Sequence, residues 1–415
     1  MYRYFPYYKY IRICIIFINC NIIFIHQSKE KNLENVNTSQ KNDFILDIDN
    51  KNKSILISQI NDYINLVRDG ILINDINNKY IYPPKITAII PVFNASKTIK
   101  AAVRSIQNQN MSEIEIILVD DVSTDNSLNV IDKLMKEDNR IKLIKNKKNK
   151  GTLYSRSIGA LNAKGKYIMA LDNDDLFIYG IFNKCYNEAE QSNLDIVEFS
   201  GIQICKNCSV DENKIYIPWF LRFKNDGIII KQPQLSTFEY NRTNTSFNFI
   251  DVFVWGKLIK TEIYKNAIKT LGNEIYEHNI CLTEDKILMF GLFKVSNSFK
   301  FINVFGIIYV ENLESVCHTW TKTQSQRIMH DFFMLAVIFY SLSKNSEEVQ
   351  IVADEIKKHF KEFSIMLDKN HKKLLLKLIK ELLINKYVQE PEKKLIIKLF
   401  DNNKDNLKDV IGKII

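Results

Sequence analysis

Acidic residues stand where two apolar segments of the sequence end, and each segment has the pattern of a buried strand. Asp120-Asp121 follow Ile114–Val119, and Asp172–Asp175 follow Tyr167–Leu171. Carboxylates at neighbouring strand ends repel one another unless a cation lies between them. Hard oxygen ligands select Mg²⁺ or Mn²⁺, and such an ion is normally shared with phosphate oxygens. The pattern therefore predicts a divalent-cation site that binds a nucleotide diphosphate.

Strand and helix patterns alternate around these acids, and their order determines whether the acids can meet. The predicted strands and the helices between them are 86–90, 94–106, 114–119, 123–135, 141–144, 152–163 and 167–171. This order predicts a parallel sheet covered by helices, with ligands at the carboxyl ends of the strands. An Asn/Asp turn gives a string like Asp172–Asp175 in many loops. The position of Asp172–Asp175 after a predicted strand is therefore the evidence that these acids belong to a ligand site.

Ordered pieces of this region resemble the donor-binding half of the family 2 glycosyltransferases, in particular versions from unicellular eukaryotes. The pieces are Ile89–Asn94, Leu118–Asp125, Asn149–Gly151, Ser155–Ser157, Gly165–Ile168 and Leu171–Asp175. The resemblance predicts an α/β protein with the GT-A (Rossmann-like) fold. That fold has a mixed, mainly parallel sheet flanked by helices, here followed by a helical C-terminal region.

The resemblance also implies roles for residues that contact the donor. Pro91 and Phe93 occupy the loop that contacts the nucleobase, where the aromatic ring stacks on the base. Asp121 corresponds to the acid that recognises the base, and Asp120 is its neighbour at the strand end. Arg156 occupies the arginine position near the donor, although a surface arginine of a helix is the alternative interpretation.

A DXD motif is the metal-binding part of the resemblance. Asp172 and Asp174 form it, with Asp174 the better candidate for direct contact with Mn²⁺ or Mg²⁺ and Asp172 as its partner toward cation and donor. Asp175 is expected to hold the turn. The motif therefore predicts a metal-assisted reaction on a nucleotide sugar.

The acceptor half resembles the family more loosely. Val254–Leu258 matches the segment ahead of the catalytic acid, and Thr283–Leu288 matches the motif that carries it. Inverting transfer needs a base for the proton of the acceptor hydroxyl, which predicts Asp285 as base with Glu284 in support. Acids at the start of a helix also arise simply because they interact favourably with the helix dipole. His318 is interpreted as structural.

The sequence divides into five parts by pattern. They are a signal or short signal-anchor segment (1–26), a flexible stem (27–54), the donor half (85–177) and acceptor half (178–325) of a GT-A domain that begins at 55, and a helical region (326–415). A buried strand or helix is the alternative for the first part. The last part is expected to pack on the catalytic domain or to dock on a membrane surface.

The prediction is therefore an inverting hexosyl- or other glycosyltransferase with a nucleotide-sugar donor, a UDP-sugar by default. The acceptor is a glycan, a protein or a lipid, and a catalytically silent glycan- or nucleotide-binding protein is the alternative. Membrane association or the secretory pathway (ER/Golgi) is expected, with the cytoplasm as the alternative location. The net charge of +9 includes no basic run interleaved with aromatic residues, so no nucleic-acid partner is predicted. A GxxxxGK[ST] phosphate loop is absent, which excludes a P-loop enzyme.

Overall fold

The computed structural model divides the chain into two compact units. One unit is Ile25–Leu313, and the other combines Met1–Phe24 with Glu314–Ile415. The residues that the structure describes are 63–69, 81–205, 229–231, 253–277, 284–311, parts of 331–341, and 369–384. The predicted signal segment and stem, 1–26 and 27–54, lie outside them.

The first half of the sheet is parallel and follows the predicted alternation. Its elements are β1 (Ile86–Val92), α1 (Ile99–Gln107), β2 (Ile114–Asp120), α2 (Ser127–Glu137), β3 (Ile141–Lys145), α3 (Gly151–Asn162) and β4 (Tyr167–Ala170). The strands lie in the order β3-β2-β1-β4, and each neighbouring pair is parallel. Every residue of β1, β2 and β4 is buried, as expected for parallel strands that have helices on both faces.

The direction of the crossovers places these helices on two faces of the sheet. The chain steps one strand at a time from β1 to β2 to β3, and then returns past β1 to β4. Because such crossovers are right-handed, α1 and α2 cover one face and α3 covers the other. Residues that follow β4 can therefore contact either the α1 face or the α3 face.

The second half of the sheet adds antiparallel pairs. Its elements are β5 (Leu176–Phe177), α4 (Ile181–Ser192), β6 (Ile196–Cys205), β7 (Ile229–Lys231), β8 (Lys257–Lys260), α5 (Thr261–Leu271), a 3₁₀ helix (Asn273–Glu277), α6 (Glu284–Val295) and β9 (Ser298–Glu311). The order continues β4-β8-β6-β9-β5, and β7 pairs with β9. Only β6 and β9 are parallel here. The predicted mixed sheet flanked by helices is confirmed, with its parallel part in the donor half.

The turn into β4 requires a glycine. A Cβ atom on Gly165 would lie 2.5 Å from the backbone nitrogen of Thr87 and 2.7 Å from the carbonyl carbon of Ile86. The Thr87 hydroxyl accepts a hydrogen bond from the Gly165 amide at 2.9 Å. This close contact fixes where β4 begins, and so fixes the acidic turn at its other end.

The second unit contains α7 (Lys369–Ile384). Among its residues whose side chains the structure describes, Leu375, Leu378, Ile379 and Leu382 are buried, a spacing that places them along one stripe of the helix. The helical region predicted at 326–415 therefore contains this amphipathic helix. Within the described residues, no helix combines the length and apolar character that crossing a membrane requires.

Candidate active site

The loops that follow β1 and β2 form one connected structure. The Asp121 amide donates to the Val92 carbonyl at 2.8 Å, which extends the parallel ladder by one residue. Asn94 adopts a left-handed conformation (φ 51°), and its side-chain oxygen accepts a hydrogen bond from the Thr124 amide at 2.8 Å. Phe93 remains 49% exposed between these contacts. Its ring is thus free to stack on a flat ligand at the strand ends.

Pro91 lies next to the last residue of β1, and its backbone contacts the acidic turn. It is buried in β1, and its carbonyl accepts a hydrogen bond from the Asn173 side chain at 3.2 Å. This contact ties the loop after β1 to residues 172–175. The first and fourth strand ends therefore share one edge of the sheet, as the sequence predicts.

Asp120 and Asp121 are both buried at the end of β2, but they have different partners. The Asp121 carboxylate accepts hydrogen bonds from the Lys150 amide at 2.9 Å, the Gly151 amide at 2.7 Å and the Asn146 side chain at 2.8 Å. It therefore caps the start of α3, where backbone N–H groups lack partners within the helix. Among the described residues, the Asp120 carboxylate accepts longer contacts, at 3.3 Å, from the Ser123 amide.

Arg156 connects the donor half to the acceptor half. Its side chain is 3% exposed, and its guanidinium forms ion pairs with Asp172 after β4 and with Asp285 at the start of α6. The pKa of Arg156 is raised: burial acts to lower it, but the charges of Asp285 and Asp172 outweigh that effect. The structure thus brings together three of the predicted site residues, although Asp285 lies far from the other two in sequence.

The three carboxylates of the acidic turn have three different environments. Asp172 is 30% exposed and pairs with Arg156, whereas Asp174 lines a cavity beside α1. Asp175 is buried and accepts a hydrogen bond from the Val310 amide at 2.8 Å, which ties the turn to β9. Burial raises the pKa of Asp175 well above its usual range, and the charges of Asp174 and Asp172 add to the effect.

Glu284 and Asp285 begin α6. Asp285 is 17% exposed; burial raises its pKa, while the charge of Arg156 and a hydrogen bond from the Val254 backbone oppose the rise. Burial raises the pKa of Glu284 well above its usual range, and the neighbouring charge of Asp285 raises it further. The pair therefore binds protons more readily than two free carboxylates would.

The donor set of the acidic turn fits a divalent cation only in part. No group of three or more His, Cys, Asp and Glu side chains arranged for a metal occurs among the described residues. Asp172 and Asp174 supply hard oxygens on a partly exposed turn, which is the type of ligand that Mg²⁺ and Mn²⁺ accept. Since Mg²⁺ usually completes its shell with water and substrate phosphates, these two carboxylates would supply only part of that shell.

Tyr264 was missed by the sequence analysis as a site residue. It lies on α5, and its buried hydroxyl has no hydrogen-bond partner among the described residues. Burial raises the pKa of Tyr264, and the charges of Arg156 and Asp285 also act on it. Nothing local in the sequence distinguishes it from a core tyrosine.

Comparison with known proteins relates part of this chain to one family. Residues 87–249 match the family "Glycosyl transferase family 2". The uncharacterized glycosyltransferase EpsJ of Bacillus subtilis is 27% identical over 258 residues, which cover 62% of this chain and 70% of EpsJ. The GalNAc(5)-diNAcBac-PP-undecaprenol beta-1,3-glucosyltransferase of Campylobacter jejuni is 30% identical over 197 residues, or 44% of this chain and 62% of that protein.

The fold is shared with a solved structure, TarS (residues 1–349) of S. aureus in complex with UDP-GlcNAc. The match has a TM-score of 0.50 at 16% identity and covers 75% of this chain and 83% of that one. The described sheet therefore has a GT-A-like fold. The chain is a relative of the family 2 glycosyltransferases, as its sequence motifs predict.

Proposed function

We propose that this protein transfers a sugar from a nucleotide-diphosphate donor to a hydroxyl acceptor with inversion, assisted by a divalent cation. The ion pairs of Arg156 with Asp172 and with Asp285 carry the proposal. They hold an acid of the donor half and an acid of the acceptor half on one buried guanidinium. A sugar bound at the strand ends would then lie between the group that binds the diphosphate and the group that takes the proton.

Asp285 would act as the base. A carboxylate takes the proton of the acceptor hydroxyl best when its pKa is raised toward the working pH, and burial moves the pKa of Asp285 in that direction. Arg156 keeps the carboxylate ionised and fixes its orientation. Glu284, whose pKa is raised well above its usual range by burial and by the charge of Asp285, would support the base from the neighbouring position.

The donor would bind at the ends of β1, β2 and β4. Phe93 offers an exposed aromatic face for the nucleobase, and Asp120 and Asp121 line the same edge. Asp172 and Asp174 would hold Mn²⁺ or Mg²⁺, which neutralises charge on the leaving diphosphate when bound. UDP-sugars are the first donors to test, because the TarS fold relative binds UDP-GlcNAc.

The acceptor and the location are part of the proposal. A lipid-linked glycan is the first acceptor to test among glycan, protein and lipid, because the Campylobacter relative is named for a diphosphate-linked undecaprenol glycan. We place the protein at a membrane or in the secretory pathway because basic residues precede the apolar run 13–25. Fractionation of cells that express the full chain tests the location, and recovery in the soluble cytoplasmic fraction would contradict it.

The activity is tested with the purified full chain, Mn²⁺ or Mg²⁺, and a panel of nucleotide sugars. Calorimetry measures donor binding, and slow donor hydrolysis reports turnover without a known acceptor. Asp285→Asn should keep donor binding while its turnover falls about 100-fold or more, the usual contribution of a positioned base. Asp138→Asn, which changes a buried acid paired with Arg140 at the far edge of the sheet, is the matched control and should keep turnover.

Two results would contradict the proposal. A folded protein that binds none of the donors in the presence of a cation is not a nucleotide-sugar enzyme. Donor binding without hydrolysis or transfer in any acceptor screen would favour the silent binding protein instead.

A further inference from the structure

A cavity on the α1 face has no part in the mechanism above. It measures about 500 Å³ and lies between the helical residues 63–69, the start of α1, and the strands β5 and β9. Asp174 is the one residue that it shares with the acidic turn. Arg156 lies on α3, which covers the opposite face of the sheet, so the cavity and the Arg156 ion pairs are on different sides.

The rim of the cavity is positively charged. Arg68, Lys97 and Lys100 line it with exposed side chains, and Asp174 is the acidic side chain among the lining residues. None of the three cations forms an ion pair with another residue in the described part of the chain. Three cations around one concave surface repel one another, and an anion bound between them removes that repulsion.

The remaining lining determines the type of anion. Ser96 and Thr98 add hydroxyl groups at the rim, whereas four apolar residues form the floor: Ala101, Val130, Leu176 and Val310. Helix α1 begins beside the cavity without an acidic residue in its first turn, and the nearest carboxylate is that of Asp125, which accepts a hydrogen bond from the Ser96 amide at 3.0 Å. The Ser96 hydroxyl bonds Asp125 and the Thr98 hydroxyl donates to the Ala95 carbonyl, so the cationic groups of the rim are the donors that suit phosphate, which accepts hydrogen bonds on every oxygen. The volume is that of a small-molecule site.

We propose that this cavity is a phosphate-binding site, separate from the donor site at the strand ends. The phosphate belongs either to a soluble small molecule or to a lipid headgroup, and the cavity recognises the group that they share. This proposal does not depend on the chain being a transferase. Because Asp174 borders both, phosphate in the cavity would lie beside the predicted cation ligand.

Charge-removal variants of the full chain test the proposal. Lys97→Gln/Lys100→Gln removes two rim cations, and Lys133→Gln/Lys136→Gln removes two exposed lysines of the same spacing on α2 that do not line the cavity. Calorimetry with inorganic pyrophosphate and flotation with phosphatidylcholine vesicles, with and without phosphatidic acid, measure the two sources. Melting temperatures show that both variants remain folded.

The cavity variant should bind pyrophosphate or phosphatidic-acid vesicles about tenfold more weakly, and the control should bind like the wild type. If the cavity variant loses pyrophosphate binding, the ligand is a soluble phosphate compound. If it loses vesicle binding alone, the ligand is a lipid headgroup. The proposal is wrong if the wild type binds neither probe or if both variants weaken equally. The proposal that the cavity is separate from the donor site is also wrong if the cavity variant loses UDP binding to the same extent as it loses phosphate binding. The cavity would then be part of the donor site.

Discussion

Replacing Arg156 with methionine tests the connection between the two halves of the site. Methionine keeps an unbranched side chain of similar length but removes the charge that pairs with Asp172 and Asp285. Taking one partner from a buried ion pair costs about 3–5 kcal/mol, because the other charge stays buried without compensation. Asp172, at 30% exposed, regains water more readily than Asp285 at 17%, so Asp285 sets most of the loss.

The loss should depend on pH in a defined direction. Burial already raises the pKa of Asp285, and Arg156 opposes that rise; without Arg156 the folded-state pKa lies further above the unfolded value of about 3.9. Below that value the carboxyl is protonated in both states, so the electrostatic part of the penalty vanishes. As pH rises toward the folded-state pKa the penalty grows, because ionisation then favours the unfolded chain. The destabilisation should therefore be larger at pH 8 than at pH 5.

Urea unfolding of the full chain, followed by fluorescence at the two pH values, measures the free energy of unfolding. Arg140→Met is the control for function: Arg140 and Asp138 are both fully buried at the edge of the sheet, so this variant should lose stability but keep donor hydrolysis per folded molecule. Arg156→Met should lose both. An Arg156→Met protein as stable as the wild type at pH 8, or equally destabilised at both pH values, would refute the reasoning.

Three further substitutions probe the frame of the site, and chemical denaturation or thermal melting measures each. Gly165→Ala should destabilise by about 1–3 kcal/mol or more, because its Cβ would meet the Thr87 backbone at 2.5 Å; a stable variant would mean that the turn into β4 can shift. Val122→Gly should stabilise by up to about 1 kcal/mol, because the left-handed φ of 68° costs a β-branched residue more than the added chain entropy of glycine; a clear loss would contradict this. Asp121→Ala should cost about 0.5–2 kcal/mol by uncapping α3, and unchanged stability would show that water replaces the cap.

The parallel half of the fold and the meeting of its strand ends were predictable from the sequence. In residues 86–171, apolar segments typical of buried strands alternate with segments typical of amphipathic helices. Because crossovers between parallel strands are right-handed, few arrangements of these strands and helices are possible. The order β3-β2-β1-β4 is compatible with that rule, although the rule does not fix it. Acids at the ends of β2 and β4 were therefore expected at one edge of the sheet, and they lie there.

The partners of those acids were not predictable, because each depends on contacts between distant residues. Asp121 faces the start of α3, 30 residues further along the chain, and nothing in its own segment distinguishes a helix cap from a base-binding acid. Arg156 and Asp285 are separated by 129 residues, and the antiparallel strand β8 lies between β4 and β6. The local sequence pattern predicts neither the strands with which β8 pairs nor the position of α6, which depends on that pairing.

The acidic turn separates its carboxylates, and this separation makes a dense acidic string compatible with a folded site. Asp175 points into the protein, where burial raises its pKa and so favours the uncharged form. Asp172 is neutralised by Arg156, and Asp174 lines a cavity with a positive rim. A donor diphosphate with its cation would compete with Arg156 for Asp172, since both bind the same carboxylate. Donor binding should therefore leave Arg156 paired with Asp285 alone, and that contact is the one that keeps the base ionised and oriented.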